Sequence, residues 1–380
     1  MNTFTRKKYA FTLLTLISIL VASNIYTLIP IYEAVAIDLD ISSVDVVIAG
    51  SLFTLFYAGG LLSFGPISNY VGRKKILVYG LLISSVTTFA VGFATGAITL
   101  WLTRSIQGFT LASFASVVFA YSFEMFPTKP RTLLVVLINT GFLIAGIFGQ
   151  LISSLLSYQF SWNSVFFFFA FCYLLLFVLA FIILADSPIN RMKKEPVLAV
   201  YFSLIKDSLL AKCYVITFSL LFSVIAFYDA LNRYFPGANE DLFMIRTAGL
   251  IGATLSIFTG KFIEKLGELK TLEAGFIIGI LSFIAMLFYH RTAELIVFSI
   301  LFISSISLVI PTVITLIGSF VEKKRSQALS LYSFILLIGA SLGPSLASFA
   351  SFHQILIVLS MLFLLNLWLC QLIKNLKIGS

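Results

Sequence analysis

The sequence is poor in charge. Asp, Glu, Lys and Arg make up 11% of its 380 residues against 60% hydrophobic residues, and the mean hydropathy is +1.07. Soluble domains carry roughly a quarter charged residues, so water would not dissolve a surface built from this composition. Histidine occurs only twice, at His290 and His353, each alone in an expected outer loop. There is no HExxH and no phosphate-binding GxxxxGK[ST], so zinc hydrolysis and ATP hydrolysis have no carrier. The GLLSFG string at 60–65 lacks the strand-turn-helix setting of a dinucleotide loop and reads as helix packing. Cysteine is scarce as well. Cys172, Cys213 and Cys370 are odd in number, show no CxxC spacing and lie in or beside apolar runs, which suits packing better than disulfides or metal. No enzyme activity, metal or bound cofactor is expected.

Long apolar runs, by contrast, are abundant. A span needs about 20 apolar residues, and stretches near that length occur at 9–34, 45–66, 76–95, 98–123, 132–157 and 162–184. After a polar stretch from Asp186 to Lys212 they resume at 213–235, 244–263, 271–289, 294–320, 327–350 and 353–374. The expected fold is therefore an all-α integral membrane protein of twelve helices. The first run is too long for a signal-peptide core, so it is expected to stay as helix 1. Charge placement tests the count independently. Of the 25 basic residues, all but Arg104, Arg233, Arg246 and Arg291 fall in segments on one side of the alternation, the termini included. By the positive-inside rule both termini are cytoplasmic. The net charge of +9 then reflects topology rather than a nucleic-acid partner.

The two halves echo each other. Gly65, Asn69, Tyr70, Val71 and Gly72 align with Gly260, Glu264, Lys265, Leu266 and Gly267 at a constant offset of 195 residues. That echo predicts a bundle of six helices over 1–184, a cytoplasmic linker over 185–212 and a second bundle over 213–380, a recurrent plan for secondary transporters. The segment GPISNYVGRKKIL from Gly65 to Leu77 resembles the loop motif GxxxDRxGRKxxL of the major facilitator superfamily. Gly65, Gly72, Arg73, Lys74 and Leu77 match, whereas Asn69 and Tyr70 stand in place of the usual Asp and Arg. The resemblance implies a charge network that latches the outward-facing state, with Glu124 as its acid at the inner end of the fourth helix. LTRSIQG, with Arg104 and Gln107, is similar to a second motif of the family. Gly141, Gly146 and Gly149 with Gln150 weakly resemble its antiporter glycine pattern, Gln150 replacing a Pro. Gly339, Gly343 and Pro344 repeat the pattern in the eleventh helix. Small residues let helices approach closely, and simple packing competes with gating as their role.

Charged groups at membrane depth are functional candidates by default. Arg104 lies about six residues from the outer end of its helix, roughly 9 Å deep at 1.5 Å per residue, and suits a coupling or substrate role or a bond to backbone carbonyls. Asp229 and Arg233, four apart beside Tyr228 and Asn232, form either a plain i to i+4 ion pair or a protonatable carboxylate poised by its cation. Glu33 after Pro30 is the other proton candidate. Asn24, Tyr26, Tyr121 and Gln150 are neutral polar groups on helices that line the cavity in this family, and helix-to-helix hydrogen bonds would explain each equally well. The resemblance implies a monomeric carrier in a bacterial inner membrane, in which two bundles rock about a central site. The favoured expectation is proton-driven export of small amphipathic or hydrophobic molecules, drugs, metabolites or metallophores. An importer working by symport or facilitated diffusion, and a non-transporting receptor or assembly partner, are the alternatives.

Overall fold

The computed structural model describes residues 3–186, 196–235, 239–288 and 291–378; side chains at 3–7, 143, 147, 197–198, 232–233, 239–240, 243, 250, 344–349 and 377–378 lie outside the description. The described residues are helical, with no strand. In order the helices are α1 (Thr3–Ser23), α2 (Tyr32–Asp38), α3 (Ser43–Val71), α4 (Arg73–Val91), α5 (Ala97–Met125), α6 (Thr128–Gln159), α7 (Trp162–Ile183), α8 (Val197–Lys206), α9 (Ser208–Tyr234), α10 (Asn239–Thr254), α11 (Thr259–Leu266), α12 (Glu268–Phe288), α13 (Thr292–Phe320), α14 (Arg325–Phe349) and α15 (Phe352–Ile378). Ten of them are long and apolar enough to cross a membrane, and Lys8–Ser23 is a shorter apolar helix. The chain divides into two compact units, Met1–Leu134 with Gly141–Lys194, and Val135–Thr140 with Glu195–Ser380.

Two expected helices are not continuous. The first, expected over 9–34, stops at Ser23; turns follow, then a 3-10 helix at Ile29–Ile31, then α2. Pro30 has no N–H to give Tyr26 and pushes the residue before it away from the helical region. Thr27 Oγ1 takes the Asn24 carbonyl, a local bond that competes with the helical ladder. The segment expected over 244–263 is α10, a 3-10 turn at Leu255–Phe258 and α11. Here Thr254 Oγ1 back-bonds to the Ile251 carbonyl at 2.6 Å, and Gly252 presses α10 onto the Ile300 carbonyl of α13. The polar stretch between the halves also holds a short helix, α8.

Each unit is built around one central helix, α5 in the first and α13 in the second, buried along almost all of its length. α5 is rich in Ser and Ala, and α13 in Ser. Gly80 of α4 meets Ser113 of α5, and Gly275 of α12 meets Leu308, Val309 and Ser305 of α13. The pairs Gly80/Gly275 and Ser113/Leu308 stand at the same 195-residue offset seen in the sequence. The loop echo has a backbone cause as well. Gly72 (φ 100°) ends α3 and Gly267 (φ 80°) ends α11, each in a conformation that side chains rarely adopt. Their N–H groups close the helices on Ser68 and Ile263 carbonyls at 3.0 and 2.9 Å.

Candidate functional site

The first unit holds a polar node in an apolar interior. Arg104 of α5 is fully buried, and its guanidinium lies 4.1 Å from the Phe53 ring centre and 5.7 Å from that of Phe166. Its Nη1 donates to Gln107 Oε1 at 2.6 Å, a pair made possible by i to i+3 spacing on one helix face. Nη2 donates to the Asn24 carbonyl at 3.2 Å, just beyond the end of α1. Gln107 Nε2 in turn donates to Asn24 Oδ1 (2.9 Å) and to Thr88 Oγ1 of α4 (3.0 Å). Asn24 Nδ2 donates to the Tyr173 hydroxyl of α7 at 2.5 Å, and that hydroxyl donates to the Leu20 carbonyl at 2.8 Å. Among the described residues no carboxylate pairs with Arg104, so its charge rests on neutral acceptors and ring faces.

Four helices and the broken end of α1 thus meet on Asn24, Arg104 and Gln107, three residues singled out from the sequence. Thr88, Tyr173, Phe53 and Phe166 were not. The lone hydroxyl of Tyr173 within the run FFFFAFCYLLLF was the available signal; Thr88 looked like any helical threonine. Tyr173→Phe removes both a donor to Leu20 and the acceptor of Asn24, and should lower stability by about 1–2 kcal/mol, read as a fall in melting temperature with unchanged expression.

The second unit replaces this node with rings. At the 195-residue offset Thr88, Arg104 and Gln107 become Phe283, Ser299 and Phe302. Tyr173, eleven residues into α7, corresponds to Phe363, eleven residues into α15. Phe283 and Phe302 pack at a tilt with 4.7 Å between ring centres, Phe363 lies 5.4 Å from Phe283, and Phe227 of α9 lies 5.2 Å from Phe302. Ser299 bonds the Tyr228 hydroxyl at 2.9 Å, and Arg246 donates to the Tyr228 carbonyl at 3.3 Å.

Other candidate residues are placed as follows. Asp229 is half-buried on α9, while the side chains of Asn232 and Arg233 lie outside the described residues. Glu33 is exposed in the first turn of α2. Tyr26 is half-buried, and Gly146 of α6 faces its ring. The Tyr121 hydroxyl donates to the Ala185 carbonyl (3.0 Å) and accepts from its N–H (3.2 Å) after α7, and Gln150 donates to the Gly146 carbonyl of its own helix at 2.8 Å. Gly141 and Gly149 of α6 sit against Ser18 and Ser23 of α1, and Gly339 and Gly343 of α14 sit against Phe218 and Ala226 of α9. Pro344 falls among the side chains outside the description.

Around the loop motif, the half-helix ends carry charge. Arg73 Nη2 and Glu124 Oε1 pair at 2.7 Å with both side chains largely buried, and Arg73 Nη1 donates to Ser68 Oγ at 3.1 Å. Lys74 reaches Asp186 at 3.5 Å. Gly65 and Asn69 are buried beside this pair in sequence; in the second copy Gly260 is half-buried and Glu264 exposed.

Comparison with known proteins places this geometry. A family model described as Major Facilitator Superfamily matches residues 13–344 and 243–375. The chain is 25% identical over 366 residues to an uncharacterized MFS-type transporter, YybF, of Bacillus subtilis, covering 91% of this chain and 88% of that protein. It is 30% identical over 125 residues to the multidrug resistance protein MdtM of Escherichia coli K12, covering 32% of this chain and 30% of that protein. The crystal structure of the human organic anion transporter MFSD10 shares the fold at 14% identity, with a TM-score of 0.76 over 96% of this chain and 99% of that one. With a family match spanning most of its length and an all-helical, membrane-length architecture, the chain belongs to the major facilitator superfamily.

Proposed function

We propose that this chain exports small amphipathic or hydrophobic molecules across a bacterial inner membrane by alternating access, exchanging them for protons. The observation that carries the reading is the fully buried Arg104 node of the first unit, set against phenylalanine rings and neutral acceptors, which suits solutes with few polar groups. Likeness to a multidrug resistance protein over about a third of the chain supports export. The chain works as a monomer with both termini in the cytoplasm, the side rich in Lys and Arg. Proton and substrate are coupled because each shifts the inward–outward equilibrium only by its differential affinity for the two states. Asp229, half-buried on α9, is the proposed proton carrier.

In energised inside-out vesicles, adding a lipophilic dye should drain protons from the lumen while the dye accumulates there. Asp229→Asn should cut proton-driven accumulation at least tenfold, about 1.4 kcal/mol or more, while leaving dye exchange down its own gradient; Glu33→Gln should change neither. Accumulation that survives collapse of the pH gradient would remove the proton from the mechanism. Asn69 and Gln150, which depart from the antiporter pattern, favour import as the second reading, and net movement of labelled solute out of the lumen would select it.

A further inference from the structure

The end of α1 has a complete hydrogen-bond account. An α-helix leaves its last carbonyls without partners, and here turn bonds take three of them: Asn24, Ile25 and Tyr26 N–H groups reach the Val21, Ala22 and Ser23 carbonyls at 3.3, 3.1 and 2.9 Å. Side chains from other helices take the rest. Tyr173 serves Leu20, and Arg104 serves Asn24, the first carbonyl past the helix. Negative partial charge collects at a helix C-terminus, so a cation there is stabilising, most of all where water is absent. In transporters with broken helices, unwound carbonyls and half-helix C-termini are the places where coupling ions bind. Here a guanidinium fixed to α5 sits in such a place.

The second unit is an internal control. Arg104 becomes Ser299 there, Thr88, Gln107 and Tyr173 become phenylalanines, Asn24 becomes Ser219, and α9, the counterpart of α1, runs unbroken from Ser208 to Tyr234. Only the half that has Arg104 has a broken leading helix.

We propose that Arg104 is a positioning residue: a tethered cation that stands where a bound ion would stand and holds α1 open at 24–28, making that segment the hinge of the first half. The hinge role rests on the transport reading, but the cap does not, and the test needs no substrate. Purified Arg104→Ala should melt lower by roughly 5 °C. Free guanidinium chloride at tens of millimolar should restore part of that loss along a saturating curve, by mass action on the vacated site. The wild type should respond with the opposite sign, because guanidinium only denatures it. Equal responses in the two proteins, or equal restoration by sodium chloride, would overturn the cap. If Arg104→Ala does not fold, amide exchange in Arg104→Lys decides. Protection across 20–28 close to wild type supports a cation requirement, and its loss in a folded Lys variant overturns it.

Discussion

Adding one methyl group at Gly108 or Gly339 should cost about 3 kcal/mol of stability, enough to remove most folded protein from the membrane. A Cβ at Gly108 would fall on the Phe53 carbonyl oxygen of α3, and one at Gly339 on the Phe218 carbonyl oxygen of α9. Backbone cannot swing aside as a side chain can, so the helices must separate, and overpacking of this kind typically costs 1–3 kcal/mol or more. Gly59 is the matched control, since a Cβ there meets nothing within 4 Å. Gly59→Ala should be neutral or stabilising by up to about 1 kcal/mol, as expected of Gly to Ala inside a helix. Thermal unfolding in detergent and the yield of monodisperse protein check all three. A Gly339→Ala protein as stable as the parent would mean that α9 and α14 do not pack through that glycine.

Reversing Glu124 should be the most damaging charge change in the first unit. Its carboxylate meets Arg73 at 2.7 Å where both side chains are 8% and 18% exposed, so Glu124→Lys opposes two cations in a mostly dry setting. Breaking a buried pair from one side costs about 3–5 kcal/mol; with partial exposure, roughly 2–4 kcal/mol is expected here. Glu124→Gln should be milder, because its amide oxygen still accepts from Arg73. The double exchange Arg73→Glu with Glu124→Arg should recover part of the stability, and a double-mutant cycle measures the coupling. A cycle that shows no coupling would reduce the pair to two unrelated surface charges. Because Asn69 is neutral where relatives carry an acid, this one pair should hold more of the loop's order than in a fully charged network.

Much of this architecture was readable in advance, and the reasons are physical. Membrane helices must satisfy their own backbone, so apolar length alone located α3 to α7 and α12 to α15. Gly72 and Gly267 were visible as an echo because the positive φ at both helix ends tolerates little else. Arg104 and Gln107 stood out since a charge in an apolar run demands an explanation. A bond from Arg104 to backbone carbonyls was among its expected roles, but that the carbonyl is the one of Asn24 did not follow, because a carbonyl has no residue type to read. The break in α1 was missed for a related reason: 9–34 is apolar enough to span, and hydropathy is blind to Pro30. Thr88 and Tyr173 needed helix azimuths that one sequence does not supply.

The contrast between a hydrogen-bonded node in one half and clustered phenylalanines in the other sets a limit on rebuilding the protein from its own duplicate. Two copies of the first half would bring two guanidinium groups like that of Arg104 into one molecule, each with only neutral acceptors. Two copies of the second would bring none and would have no broken leading helix. The ancestral symmetry is therefore spent: neither half is a substitute for the other, and chimeras that exchange them should fail even where every turn and glycine contact is preserved.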